Sequence, residues 1–174
     1  GDHFMGVRGV VEEADVVSGK VKIIAPEHFM QAAIEENVFA GNAMSRRTQW
    51  QYAVLLPRDP HGHVDQAIGK NIAHGNMGLI APNVTIARDF EELTIDGVTM
   101  VFQNTPDTEA PVEMNTWFPQ FKAFWAAENI TGTIHNIYTL RGAPVRNALN
   151  WSKHINAALW KFGQEAEVMF ASHS

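Results

Sequence analysis

Three rhythms of apolar and polar positions follow one another along the chain. In the first, Phe4, Val7, Val10 and Val11 recur at helical spacing, and Gly6 and Gly9 permit close packing, so a short helix is predicted over Phe4–Val17. Ser18-Gly19 ends it, and the β-branched, apolar run Lys20–Ala25 reads as a buried strand. Pro26 then opens a helix with Glu27 in its first turn, where a carboxylate suits the positive helix end. Helical character runs to Leu56, with a break near Gly41-Asn42, and from Pro57 to Asn76 the periodicity dissolves into Gly, Pro and His.

The second rhythm is that of strands. Val84–Ala87 alternates, and Leu93-Thr94-Ile95 and Val98–Gln103 flank Asp96-Gly97, a two-residue hairpin signal. Met114–Phe118 and Gln120–Ala126 form a second predicted pair with Pro119 near the bend. This pair is so rich in aromatics (Trp117, Phe121, Phe124, Trp125) that it cannot face water on both sides, which predicts self-association as a homo-oligomer. The third rhythm is helical again. A short helix is expected within Asn129–Leu140, ending at Gly142, and Trp151–Phe162 is the clearest helix of the chain. Its apolar stripe is Trp151, Ile155, Ala158, Leu159 and Phe162, with Gly163 at the C-cap. Glu167–Ala171 is a final strand that places His173 at its end. Mixed helices and strands with a clear hairpin give an α+β (or α/β) class with a mixed sheet.

A chain of 174 residues fits a single domain with a real core, and 45% apolar with 18% charged residues is ordinary for a globular protein. The net charge of −6 argues against nucleic acid, since phosphate binding needs clustered Lys and Arg. No apolar run approaches the roughly 18 residues of a membrane helix. Cysteine is absent, which excludes disulfides, thiolate nucleophiles and thiolate metal sites. Gly1-Asp2-His3 does not read as a natural start, so the chain is expected to be cut from something longer, and missing targeting signals carry no weight.

The candidate chemistry lies in Asn104–Arg146 and at the two ends. Glu109 follows Pro-Asp-Thr and Glu128 follows an apolar run; a carboxylate beside buried apolar segments is costly unless a cation or hydrogen bonds compensate it. Asp2-His3 and His173 are ligand-type residues that a single closed site could use, although an N-cap Asp accounts equally for Asp2. His61-Gly62-His63-Val64-Asp65 carries alternate histidines, but it lies in a loop with no strand to fix it and reads as a solvated loop.

The strings Asp2-His3-Phe-Met-Gly-Val-Arg-Gly, Thr108-Glu109-Ala110-Pro111-Val112-Glu113-Met114, Ala127-Glu128-Asn129, His135-Asn136-Ile137-Tyr138-Thr139-Leu140-Arg141-Gly142-Ala143 and Ala171-Ser172-His173 run across the whole chain. Together they resemble the alkyl (linear and secondary) sulfatases of the metallo-β-lactamase superfamily. The resemblance implies an αββα sandwich, here partial, with a two-metal site that is usually zinc. It places ligands at Asp2, His3, Glu109, Glu128 and His173, and turns Asn136, Arg141 and Arg146 toward the sulfate group of an alkyl sulfate substrate. Glu113 matches the family string without being a ligand and reads as structural. The implied reaction is hydrolysis to alcohol and sulfate by a metal-activated water. A bacterial periplasmic or secreted location is compatible with that family.

Two departures stand out. The two histidines of the H-x-H half of the family's metal motif would stand just before Asp2 and are not in this sequence, and the family's Gly between Pro and Thr is Asp107, where a positive φ would strain an Asp. From the first departure, one zinc or none and no turnover are expected of the chain alone. The competing reading is a non-catalytic, incomplete domain that self-associates and binds at most one metal. Another hydrolase of the same superfamily is disfavoured by Thr139-Leu140-Arg141-Gly142-Ala143 and by the second acidic ligand.

Overall fold

The computed structural model describes residues 3–66, 69–71 and 75–173. They divide into two compact units, one made of Gly1–Ile24, Met30–Val84 and Tyr138–Ala143, the other of Ala25–Phe29, Thr85–Ile137 and Pro144–Ser174.

In the first unit the expected opening helix is two pieces, a 3-10 helix Phe4–Gly9 and α1 (Glu13–Val17). Two glycines in six residues weaken a helix, and Glu12 takes an extended conformation (φ −82°, ψ 134°) that restarts it. The expected strand over Lys20–Ala25 shrinks to β1 (Ile24–Pro26). Ahead of β1 the side chain of Asn83 takes the place of a ladder: its Oδ1 accepts from the Ile23 N–H at 2.8 Å, and its Nδ2 donates to the Val21 and Val16 carbonyls, each at 2.9 Å. β1 pairs with β2 (Val84–Ile86). Because Pro26 stays in the strand and His28 adopts φ 65°, the next helix, α2 (Phe29–Ile34), begins three residues later than expected. A π-helical turn, Glu35–Phe39, follows, and α3 (Gly41–Gln51) starts at the predicted break. The loop after it is not wholly solvated: His61 is exposed, but His63 and Gln66 are buried, with the His63 N–H on the Pro57 carbonyl at 2.8 Å.

The second unit is built on a five-stranded mixed sheet in the order β3–β4–β5–β6–β7. β3 (Phe90–Ile95) and β4 (Val98–Asn104) form the predicted hairpin, with Asp96 and Gly97 both left-handed (φ 51° and 79°) as a tight two-residue turn requires. β5 (Met114–Phe118) and β6 (Ala123–Trp125) are antiparallel, joined through a 3-10 turn Pro119–Phe121. β7 (Val168–Phe170) runs parallel to β6, so its chain must cross over, and the crossover is α4 (Ala148–Phe162). Asn147 caps α4 by accepting from the Asn150 N–H at 3.0 Å. α4 lays Trp151, Ala158 and Phe162 inward, and the Phe162 ring packs 5.6 Å from those of Trp117 and Phe124.

That packing corrects two expectations. Trp117 and Phe124 are core residues beneath α4, leaving Phe121 and Trp125 as the exposed members of the aromatic group, and Leu159 of the predicted stripe is 59% exposed. The helix expected within Asn129–Leu140 is also absent. Gly132 and the β-branched Ile130, Thr131, Thr133 and Ile134 are poor helix formers, and Thr131 Oγ1 donates to the Thr133 carbonyl at 2.8 Å instead.

Candidate metal centre

Two tight turns and a strand end bring carboxylates and imidazoles together in the second unit. The Glu109 turn is closed by the Asp107 N–H on the Pro111 carbonyl (3.0 Å) and the Thr108 N–H on the Ala110 carbonyl (3.1 Å), with Thr108 Oγ1 on the Thr105 carbonyl at 2.7 Å. Asp107 does stand at positive φ, 57°. The start of α4 holds it there, since Asn147 Nδ2 donates to its Oδ2 at 2.9 Å and Asn150 Nδ2 donates to the Pro106 carbonyl at 2.8 Å. Glu128 follows the buried Ala126-Ala127, the latter at φ 49°. The Ser172 N–H donates to the Ala127 carbonyl at 2.8 Å, which sets His173 beside Glu128.

Beneath the two glutamates lies a buried amide network that sequence reasoning missed. Asn129 Nδ2 donates to Thr105 Oγ1 and to Asn115 Oδ1, each at 2.9 Å; Asn115 Nδ2 donates to Gln103 Oε1 at 3.0 Å; Gln103 Nε2 donates to the His154 carbonyl at 2.9 Å. Trp151 Nε1 donates to the Asn129 carbonyl at 2.9 Å, tying α4 to the residue after Glu128. Gln103 and Asn115 face each other in register across β4 and β5, and an amide in each of two adjacent strands was the available signal.

The Glu109 and Glu128 side chains are 13% and 16% exposed, and ligand atoms of Glu109, Glu128 and His135 all lie within 4.8 Å of one another. His135 Nε2 is 3.8 Å from Glu109 Oε1 and 3.6 Å from Glu128 Oε2, and His173 Nε2 is 3.2 Å from Glu128 Oε1. His135 Nδ1 sits 3.0 Å from the Asn136 carbonyl, and Nε2 is the nitrogen that faces the two carboxylates. Two carboxylates gathered in a partly buried site repel unless cations or protons lie near them, and carboxylate with imidazole is an ordinary donor set for zinc. The residues therefore fit a divalent metal. His135, stacked edge-on against Trp151 at 5.3 Å, was read in the sequence only as part of a string.

The predicted substrate residues separate. Asn136 and Arg146 belong to this unit, where the Arg146 guanidinium is used up internally. Its Nη2 donates to Glu109 Oε1 and its Nη1 to Asn136 Oδ1, both at 2.6 Å, while Nε donates to the Glu109 carbonyl and Nη1 also to the Asn136 carbonyl at 3.3 Å. Its side chain is 7% exposed. Arg141 belongs to the first unit, where its Nη2 lies 3.5 Å from Glu36 Oε1. His3 is also in the first unit, at the N-cap of the 3-10 helix; Asp2 lies outside the described residues.

No family profile matches the chain. Individual relatives do. The chain is 49% identical over 172 residues to the alkyl/aryl-sulfatase BDS1 of Saccharomyces cerevisiae, and 45% identical over 174 residues to an (R)-specific secondary-alkylsulfatase of a Pseudomonas species. These matches cover 99% of the chain but 27% and 26% of the relatives, so the chain spans about a quarter of their length. Among solved structures, the stereoselective inverting sec-alkylsulfatase Pisa1 from a Pseudomonas species superposes with a TM-score of 0.93 at 44% identity, over 99% of this chain and 27% of that one. An archaeal metallo-β-lactamase superfamily protein from Sulfolobus tokodaii shares the fold at a TM-score of 0.53 and 12% identity, over 92% of this chain and 55% of that one. The chain is thus similar over nearly its whole length to about a quarter of these alkylsulfatases, and it shares its fold with a metallo-β-lactamase superfamily protein.

Proposed function

We propose that this chain contributes the carboxylate and imidazole side of a zinc centre that hydrolyses alkyl sulfate esters to alcohol and sulfate. The observation that supports it most is the gathering of two glutamates, Glu109 and Glu128, with His135 within 4.8 Å and His173 at 3.2 Å from Glu128, a carboxylate and imidazole set of the kind that holds zinc. In this reading Glu109, Glu128 and His173 are ligands, and Asp2 and His3 join them by the family resemblance. Bound zinc would lower the pKa of a water molecule and polarise the ester. Asn136 and Arg141 contact the sulfate group, a guanidinium offering a planar fork to the oxyanion. Arg146 acts one step back: it fixes the rotamer of Glu109 and withdraws charge from its carboxylate, and by gripping Asn136 it holds that amide beside the ligand.

The test is sulfate release from a primary and a secondary alkyl sulfate by the protein that carries this chain, before and after chelation and zinc return. Glu128→Gln should lower zinc affinity and turnover together, each by about 100-fold or more. Unchanged zinc affinity in that variant removes the reading.

A second reading, self-association, is favoured by one observation. Phe118, Phe170 and Trp125 form a stacked ladder (6.5 and 6.2 Å between centroids), and Trp125 and Phe170 remain 37% and 44% exposed beside the edge strand β7. Light scattering decides it, since a monodisperse monomer at high concentration would refute association.

A further inference from the structure

Arg141 lies in a turn that α3 holds from one side. The turn is closed by the Gly142 N–H on the Thr139 carbonyl at 2.9 Å, with Thr139 buried and Gly142 at φ 94°. Gln51 Oε1 accepts from the Arg141 N–H at 2.9 Å. One helical turn earlier, Arg47 lays its guanidinium against Gly142, in space that a Cβ there would overlap. The backbone of Arg141 is thus held by α3, while among the described residues its guanidinium pairs with one carboxylate. That partner is Glu36, at 3.5 Å, with the two side chains 24% and 29% exposed.

A carboxylate satisfying a guanidinium in full sits at about 2.7–2.9 Å in a two-pronged arrangement. Glu36 stands off at a longer distance. It also occupies the π-helical turn Glu35–Phe39, and such wide turns are frequent at functional sites. A loosely held, half-buried anion on a rigidly placed cation is a contact built to be exchanged.

We propose that Glu36 is the resident anion of Arg141. In the unliganded protein its carboxylate holds the position that a sulfate group takes, and its return helps to expel the sulfate product. This rests on the reading of Arg141 as a sulfate-binding residue. Glu36 is then a positioning residue whose negative charge weakens sulfate binding and keeps Arg141 extended toward its ligand. Removing that charge should tighten sulfate binding, the opposite of what loss of a merely structural contact would do.

The experiment is calorimetric titration of the chain with sodium sulfate against sodium chloride at matched ionic strength, for the unaltered protein, Glu36→Gln, Arg141→Gln and the double variant. Glu36→Gln should lower the sulfate Kd by roughly threefold to fivefold. Arg141→Gln should raise it at least tenfold, and Glu36→Gln should have no effect in the Arg141→Gln background. Sulfate binding that is absent, or untouched by Arg141→Gln, removes the underlying reading of Arg141. Binding weakened by Arg141→Gln but unchanged or weakened by Glu36→Gln overturns the role of Glu36 alone. Should Glu36→Gln fail to fold, NMR of the unaltered chain decides. Sulfate should move the Glu36 carboxyl carbon and the Arg141 Nε signals with one Kd, and a Glu36 signal that stays still while that of Arg141 moves overturns the proposal.

Discussion

Arg141 and Arg146 are five residues apart and were read from the sequence as the same thing, cations for one sulfate group. Their surroundings make them opposites. Arg146 donates to Glu109 and Asn136 at 2.6 Å with its side chain 7% exposed, whereas among the described residues Arg141 pairs with Glu36 at 3.5 Å and is 24% exposed. A guanidinium whose donors are already satisfied gains little from another anion and costs much to disturb. One that is loosely paired can exchange its partner cheaply. Residue type alone did not distinguish the tightly held guanidinium from the loosely paired one.

The largest expected effect follows from that difference. Arg146→Ala leaves a largely buried Glu109 carboxylate without its cation and should cost about 3–5 kcal/mol in urea unfolding, with Arg146→Lys restoring only part of it. Arg141→Ala should cost about 1 kcal/mol or less. Equal losses at the two positions would break the comparison. Next in size, Asn129→Ala removes both donors that join Thr105 to Asn115 and should cost about 2 kcal/mol, seen as a lower Tm. Salt sharpens the contrast further. At about 1 M sodium chloride the small Arg141→Ala effect should vanish, while the Arg146→Ala effect persists because its pair is shielded from solvent.

The smallest effect concerns His154, whose carbonyl anchors the amide network. Burial lowers its imidazole pKa, and the charge of Asp89 and a hydrogen bond with the Pro106 backbone only partly oppose this. The unfolded chain therefore binds this proton more readily than the folded one, so the stability tied to His154 is present above the ordinary value of about 6.5 and is lost as pH falls below it. Urea midpoints should drop less between pH 7 and pH 5 in His154→Gln than in the unaltered chain. A parallel drop in both would remove His154 from the account.

Local signals were legible where local physics decides. Asp96-Gly97 marked the hairpin because only left-handed residues close so short a turn, and α4 was written in the spacing of Trp151, Ala158 and Phe162. The carboxylates of the site were legible because Glu109 and Glu128 stood in recognisable strings. What the chain does at a distance was not. Nothing near Lys20–Ile23 announces that Asn83, sixty residues on, will take its hydrogen bonds, and nothing near Arg146 announces Glu109. Leu159 fits the helical stripe as well as Ala158 does, yet only the latter meets the sheet. His135 needed the fold to bring its Nε2 within 3.6 and 3.8 Å of Glu128 and Glu109 before it could be recognised as part of the cluster.

The central claim is that Glu109, Glu128, His135 and His173 gather because a metal belongs between them. X-ray absorption at the zinc edge of the chain dialysed against zinc, with the zinc Kd measured alongside in Glu128→Gln and His173→Ala, tests it most directly. Up to one zinc per chain is expected, with both imidazole nitrogen and carboxylate oxygen at about 2.0–2.2 Å, and zinc affinity lowered by about 100-fold in either variant. Zinc held with equal affinity by the unaltered chain and both variants, or zinc surrounded only by water oxygens, would contradict it.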